Sequence, residues 1–226
     1  MPSPDAPVAS VHPDLAPALE EVRRTRRATL DRVAGLDDAT LSARPADDRW
    51  SIAEVLDHLV LTDGIYAADL ERLYEMAARG ERAHLRRGFR DVDASILFIP
   101  KSVLPLLEVP FSLFSLAMPK GVRDLLVRSR VLPAQRPSVS APRPGRRGAE
   151  LRRDLETGPA RLERLFAAHP EVDPRSVTHF HPLLGRNDVA GVLSFIVHHE
   201  RRHQEQIDGT RREIGAAAGA VNEAGM

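Results

Sequence analysis

Apolar side chains recur at three- and four-residue intervals in four stretches of the chain. The first covers about residues 14–34, where Leu15, Leu19, Val22, Leu30 and Val33 mark one face and arginines stand between them. The second opens at Ser51, with Glu54 three residues on, the spacing of a capping box. It continues through Ile52, Val55, Leu56, Leu59, Tyr66, Leu70 and Leu73 to about Arg79, where Gly80 can end it. The third spans roughly 149–168, with Leu151, Leu155, Leu162, Leu165 and Phe166, and Gly158-Pro159 predicts a kink or a split within it. The fourth follows Asn187 or Asp188, both good caps, and runs from Val189 to about Ile214. No run alternates as a half-buried strand would, and there is no internal repeat. The pattern predicts an all-α fold, a four-helix bundle.

Proline placement sharpens that outline. None occurs in 46–99 and none from Leu183 onward, and uninterrupted helices live in such gaps. Residues 86–147 form an insertion between the second and third helices, far longer than an ordinary helix–helix connection. Its apolar part, 94–118, raises the question of a membrane span. Pro100, Pro105, Pro110, Lys101 and Glu108 would break and charge such a helix, so no integral membrane segment is expected. Residues 131–147 are basic and Pro-rich. Two roles suit the insertion: a cover over the bundle mouth, or a crossover strap with no part in binding. The expected organisation is a single domain over 14–214, with a flexible lead-in at 1–13 and a flexible Gly/Ala-rich tail at 215–226. The lead-in lacks the basic and apolar regions of a signal peptide, which predicts a cytoplasmic protein.

Composition then narrows the chemistry. The 226 residues are 42% hydrophobic and carry 32 basic against 32 acidic side chains, which argues against wholesale disorder. A net charge of zero removes the electrostatic case for a nucleic-acid partner. The absence of cysteine excludes disulfides, thiolate zinc sites and a cysteine nucleophile. Metal chemistry must run through carboxylates, water and the nine histidines.

His199 and His203 lie four apart on the fourth helix, so both project from one face. That face also carries Val189, Val192, Ile196 and Ile207, the core stripe. Two readings are open for such a pair: core histidines bonded to carboxylates or backbone, or ligands whose nitrogens converge on a metal ion about 2 Å from each. His58, on the flank of the second helix's apolar face, is a candidate third ligand in the same bundle. His199-Glu200-Arg201-Arg202-His203 also forms the H-E-x-x-H string of zinc proteases, in which the glutamate is the general base. The third ligand available beyond the helix, Glu223, sits in the Gly/Ala-rich tail, and no strand pattern upstream offers an edge for peptide, which weighs against a protease.

Residues 49–59, with Trp50, Ser51, Glu54, Leu56, His58 and Leu59, resemble the W-S-x-x-E-x-L-x-H-L opening of the second helix in DinB/YfiT-like proteins. His181-Pro182-Leu183-Leu184-Gly185 and the later His199, His203, Gln206 and Ile207 resemble that family's last helix, which ends H-x-x-x-H-x-x-Q-I. The likeness spans roughly 14–214 and is most specific at these two motifs. It implies a DinB/YfiT-type four-helix bundle holding a divalent metal, zinc or nickel, on His58, His199 and His203, with open positions for water or substrate. The insertion has no counterpart in a minimal bundle.

The resemblance also implies an activity: transfer of a low-molecular-weight thiol to a small electrophile, or a thiol-dependent isomerisation. Since the chain has no cysteine, that sulfur must arrive on a small molecule. Asp57 or Glu200 would orient an imidazole or serve as base for a bound water. Arg86, Arg87 and Arg90 would meet an anionic substrate or form a solvated turn. Phe98, Leu104, Phe111, Phe114 and Met118 would line a pocket for a hydrophobic electrophile or simply pack on the bundle. The alternatives are a non-catalytic metal- or ligand-binding bundle, and an apolar segment that serves as a homodimer interface or touches a membrane surface.

Overall fold

The computed structural model describes residues 11–88, 140–181 and 185–224, with side chains to residue 216. A 3₁₀ turn at Pro13–Leu15 leads into α1 (Ala16–Val33), followed by the short α2 (Asp38–Ser42) and the long α3 (Ile52–Ala78). After the insertion come α4 (Gly148–Ala168) and α5 (Val189–Ala224). Helices α1 and α3 each pack on both α4 and α5, so α1 stands diagonally opposite α3 across a four-helix bundle.

The helix ends follow from local chemistry. The Ser51 hydroxyl accepts the Glu54 N–H and the Glu54 carboxylate accepts the Ser51 N–H, a complete capping box. Gly80 closes α3 at φ +71°, where the Gly80 N–H reaches the Ala77 carbonyl and the Glu81 N–H reaches that of Met76, a Schellman motif. Asp188 is the α5 cap, its carboxylate accepting the Gly191 N–H at 2.8 Å.

The structure adds detail to this all-α outline at four places. A small sheet accompanies the helices: β1 (His84–Arg86) pairs in parallel with β2 (Thr178–His181), which pairs antiparallel with β3 (Gly185–Asn187). Strands this short are set by their neighbours rather than by alternation, so the sequence gives no period to read. Helix α4 runs unbroken through Pro159. Helix α5 continues through Gly215 to Ala224 where a flexible tail was expected, as its alanines, the best helix formers, allow. Val11, within the expected lead-in, packs against the core. Of the insertion, residues 86–88 and 140–147 are described; the apolar run 94–118 lies outside the described residues. Among the described residues no helix is long and apolar enough to cross a membrane.

The core falls into two apolar clusters. One gathers Leu19, Val22, Leu70, Leu73, Phe166 and Val192; the other gathers Val33, Ile52, Leu56, Leu151, Leu155 and Ile207. The same helices cross a buried polar level between them, built from Thr25, Arg26, Thr29, His58, Glu200, His203 and Gln204. The candidate site lies there.

Candidate metal centre

Helices α3 and α5 bring His58, His199 and His203 together, with one nitrogen of each inside a common 4.8 Å sphere of separations. His58 and His203 are buried and His199 is half-buried. The Nε2 of His199 lies 3.2 Å from the Nε2 of His58 and 3.2 Å from that of His203. Two ligand nitrogens bound about 2.0–2.1 Å from one ion at nearly the tetrahedral angle stand about 3.3 Å apart. The observed edges match that separation.

Proton positions strengthen the fit. His58 Nδ1 faces the Ser140 carbonyl at 3.0 Å, an atom that only accepts, so this nitrogen carries the proton and Nε2 the lone pair. His203 Nδ1 faces Gln206 Oε1 at 2.9 Å, with the same consequence. Two lone pairs therefore point at His199 Nε2, which has at most one proton to offer. With all three rings neutral, at least one of the 3.2 Å approaches is lone pair against lone pair, a conflict that a cation between the rings removes. Burial also favours the neutral form of His199 and His203, the form a ligand needs. Desolvation, with His58 alongside, holds His203 down to about 3. His199 lies well below the ordinary imidazole range for the same reason, with His203 and His58 adding to it.

The surround is aromatic. Trp50 sits 5.2 Å from the His58 ring, centroid to centroid, and Phe195 stacks on His199 at 5.6 Å. Tyr66 and His181 also contact Phe195. His181, on β2, is buried and held down to about 3 by desolvation.

The two carboxylates expected to serve the histidines do other work. Asp57 accepts the Arg143 backbone N–H at 2.6 Å, the Arg143 guanidinium at 2.6 Å and Arg146 at 3.3 Å. Burial alone would raise its carboxyl, but those bonds and charges outweigh it and hold the group below its ordinary range. Asp57 reaches His58 only indirectly, by pinning the segment that carries the Ser140 carbonyl. Glu200 is 1% exposed and turned towards α1, where it accepts from Arg26 at 2.8 Å and from the Thr29 hydroxyl at 2.6 Å. On a helix its direction differs by about 100° from that of His199, so the string H-E-x-x-H places its glutamate off the metal face. Arg87, in turn, is committed to Asp69, which also accepts from His179 at 3.0 Å.

Periodicity missed Ser140, Gln206, Phe195 and Arg26. Gln206 was visible as part of the last-helix motif. Arg26 falls in phase with Leu19, Val22 and Val33 on the buried stripe of α1, and that phase was the available signal. Phe195, three after Val192 and four before His199, was likewise in phase with the histidine face, whereas Ser140 left no such signal.

Fold and site together define the class: a four-helix bundle with three convergent imidazoles at its buried polar level. The sequence profile of the DinB superfamily matches residues 21–207, and the chain belongs to that superfamily. A solved structure described as "YfiT from Bacillus subtilis is a probable metal-dependent hydrolase with an unusual four-helix bundle topology" is similar at 12% identity, with 93% of each chain covered and a TM-score of 0.48. No curated protein matches the chain.

Proposed function

We propose that the chain is a metal-dependent enzyme of the DinB superfamily that transfers a low-molecular-weight thiol to a small hydrophobic electrophile. The observation that carries the metal part is the convergence of three Nε2 atoms, two of them fixed as lone-pair donors by Ser140 and Gln206. His58, His199 and His203 would hold a divalent ion, zinc or nickel. Such an ion, when bound, supplies positive charge that lowers the pKa of a thiol or water beside it. Among the described residues the cluster has three ligands and no carboxylate, since Asp57 and Glu200 are engaged elsewhere. Structural zinc sites are closed by four protein ligands, whereas sites that handle substrate keep a position open. That count favours a working site over a structural pin.

The remaining contributions come from this chain's own groups. Phe195, Trp50 and Tyr66 give the surround the apolar character that suits a hydrophobic co-substrate and keeps water scarce around the imidazoles. The Ser140 carbonyl and Gln206 hold two rings in one tautomer, so no reorientation is needed when ligand binds. The lack of cysteine requires the reactive sulfur to be brought in.

Elemental analysis of purified protein is expected to find about one divalent metal per chain, and His199→Ala and His203→Ala are each expected to lose it. Full occupancy in the double variant overturns the site. The metal-loaded protein is then assayed with a panel of small thiols and electrophiles. Metal retention without any thiol conjugation moves the reading to a non-catalytic binding bundle.

A further inference from the structure

One side chain touches all four helices of the bundle. Arg26, on α1 and 3% exposed, donates from Nε to Glu200 Oε1 on α5 at 2.8 Å and from Nη2 to Glu200 Oε2 at 3.1 Å. The same Nη2 reaches Asp63 on α3 at 2.6 Å. Nη1 donates to the Leu155 carbonyl on α4 at 2.6 Å. That carbonyl is the one Pro159, four residues on, cannot serve, because proline has no N–H. Gly158 leaves the room: a Cβ there would stand 3.1 Å from Arg26 Nη1 and 3.3 Å from Asp63. The Gly-Pro pair in the middle of a helix thus builds a seat for a guanidinium.

The α5 partners of this seat are the residues next to the metal histidines. Glu200 follows His199, and its Oε1 also accepts the Thr29 hydroxyl. Gln204 follows His203 and donates to the Thr25 carbonyl and to Thr29 Oγ1, both at 2.9 Å. Two positions of α5, one turn apart, are bonded to α1; the two preceding positions project about 100° away, towards His58. A helix held at two such points cannot turn about its axis without breaking buried charge-assisted bonds.

We infer that Arg26 is a positioning residue of the metal centre: through Glu200 and the Thr29–Gln204 pair it sets the rotation of α5 that aims His199 and His203 at His58. The inference rests on the metal-centre reading above. It also gives the glutamate of the H-E-x-x-H string a task other than that of a base.

The test uses the full chain with Arg26→Lys, Glu200→Gln and, as a packing control in the apolar cluster, Leu70→Val. Each is titrated with Co²⁺, and affinity, visible absorption spectrum and melting temperature are recorded. Lysine keeps the charge but not the fork, so Arg26→Lys is expected to weaken Co²⁺ binding about 10- to 100-fold and to alter the ligand-field bands. Glu200→Gln, nearly isosteric, is expected to shift both in the same direction. Leu70→Val is expected to lower the melting temperature alone. A Glu200 that acted as a base would leave affinity and spectrum unchanged on Glu200→Gln. Should Arg26→Lys fail to fold, Glu200→Gln decides. Wild-type affinity and bands in the folded variants overturn the inference. If the natural protein takes up no Co²⁺, the metal reading fails, and imidazole ¹⁵N spectra of the metal-free proteins decide the positioning role separately. The ring ¹⁵N shifts of His199 and His203 are expected to move in Glu200→Gln as the two rings turn relative to His58; identical spectra sink the role of Arg26.

Discussion

At the residue scale, what fits His58 for the proposed centre is an acceptor supplied by the far end of the insertion. The Ser140 carbonyl faces His58 Nδ1, and Asp57, one residue earlier on α3, holds that segment through Arg143 and Arg146. Adjacent side chains on one helix thus grip the same strap at two points. Asp57→Asn removes the charge while keeping the shape. It is expected to speed amide exchange across 140–147 and to weaken metal binding by up to about tenfold, the lower end of what loss of an outer-sphere partner costs. Hydrogen-exchange mass spectrometry reads the first effect and metal competition the second; unchanged exchange would show that Asp57 does not hold the strap. Gln206→Ala frees His203 Nδ1 in the same manner. Its expected effect is about 10- to 100-fold weaker metal binding with a melting temperature close to that of the natural chain.

At the scale of the element, local chemistry was legible and its long-range correction was not. The Ser51–Glu54 box, the Gly80 ending and the Asp188 cap depend on residues within a few positions of one another, and the structure has all three where the sequence places them. Pro159 predicted a kink or a split in α4 because a proline in a helix interior orphans a carbonyl. The orphan exists, but its partner is Arg26, 129 residues away in sequence, and no local pattern announces that. The pair of histidines on α5 was readable from a four-residue spacing, whereas the rotation that separates them from Glu200 depends on another helix. Two glycines test the account. Replacing an interior helical glycine by alanine ordinarily stabilises by about 1 kcal/mol. Gly64 on α3, where a Cβ would meet nothing within 4 Å, should show that gain. Gly158→Ala should show none and should instead lose about 1 kcal/mol or more, since the new Cβ crowds a guanidinium fixed by four hydrogen bonds. Denaturant unfolding of the two variants checks the contrast, and equal gains would remove the seat as an explanation for Gly158.

On the scale of the whole molecule, a polar level runs through the bundle between two apolar clusters, and burial favours the neutral form of its His199 and His203 imidazoles. This has a pH consequence whose sign is fixed. His203 and His181 are each held down to about 3, and His199 lies well below its ordinary value. In the unfolded chain these imidazoles titrate near about 6.5. Between those limits the unfolded state binds more protons than the native one, so stability falls as pH is lowered through that window. Asp57 and Asp69, whose carboxyls the fold holds low, add a loss of the same sign, but only in the carboxylate range. Asp63 is raised by burial and works in the opposite direction. The chelator-treated protein is therefore expected to lose melting temperature from about pH 6.5 downward, before the carboxylates begin to protonate. Saturating metal binds only the neutral rings of the native state, so it should raise the melting temperature and move the onset to lower pH. Thermal melts from pH 8 to pH 5, with and without metal, decide it. A flat melting temperature between pH 7 and pH 5 in the metal-free protein would mean that the imidazoles of this level take up protons in the folded state, and are then not poised as ligands.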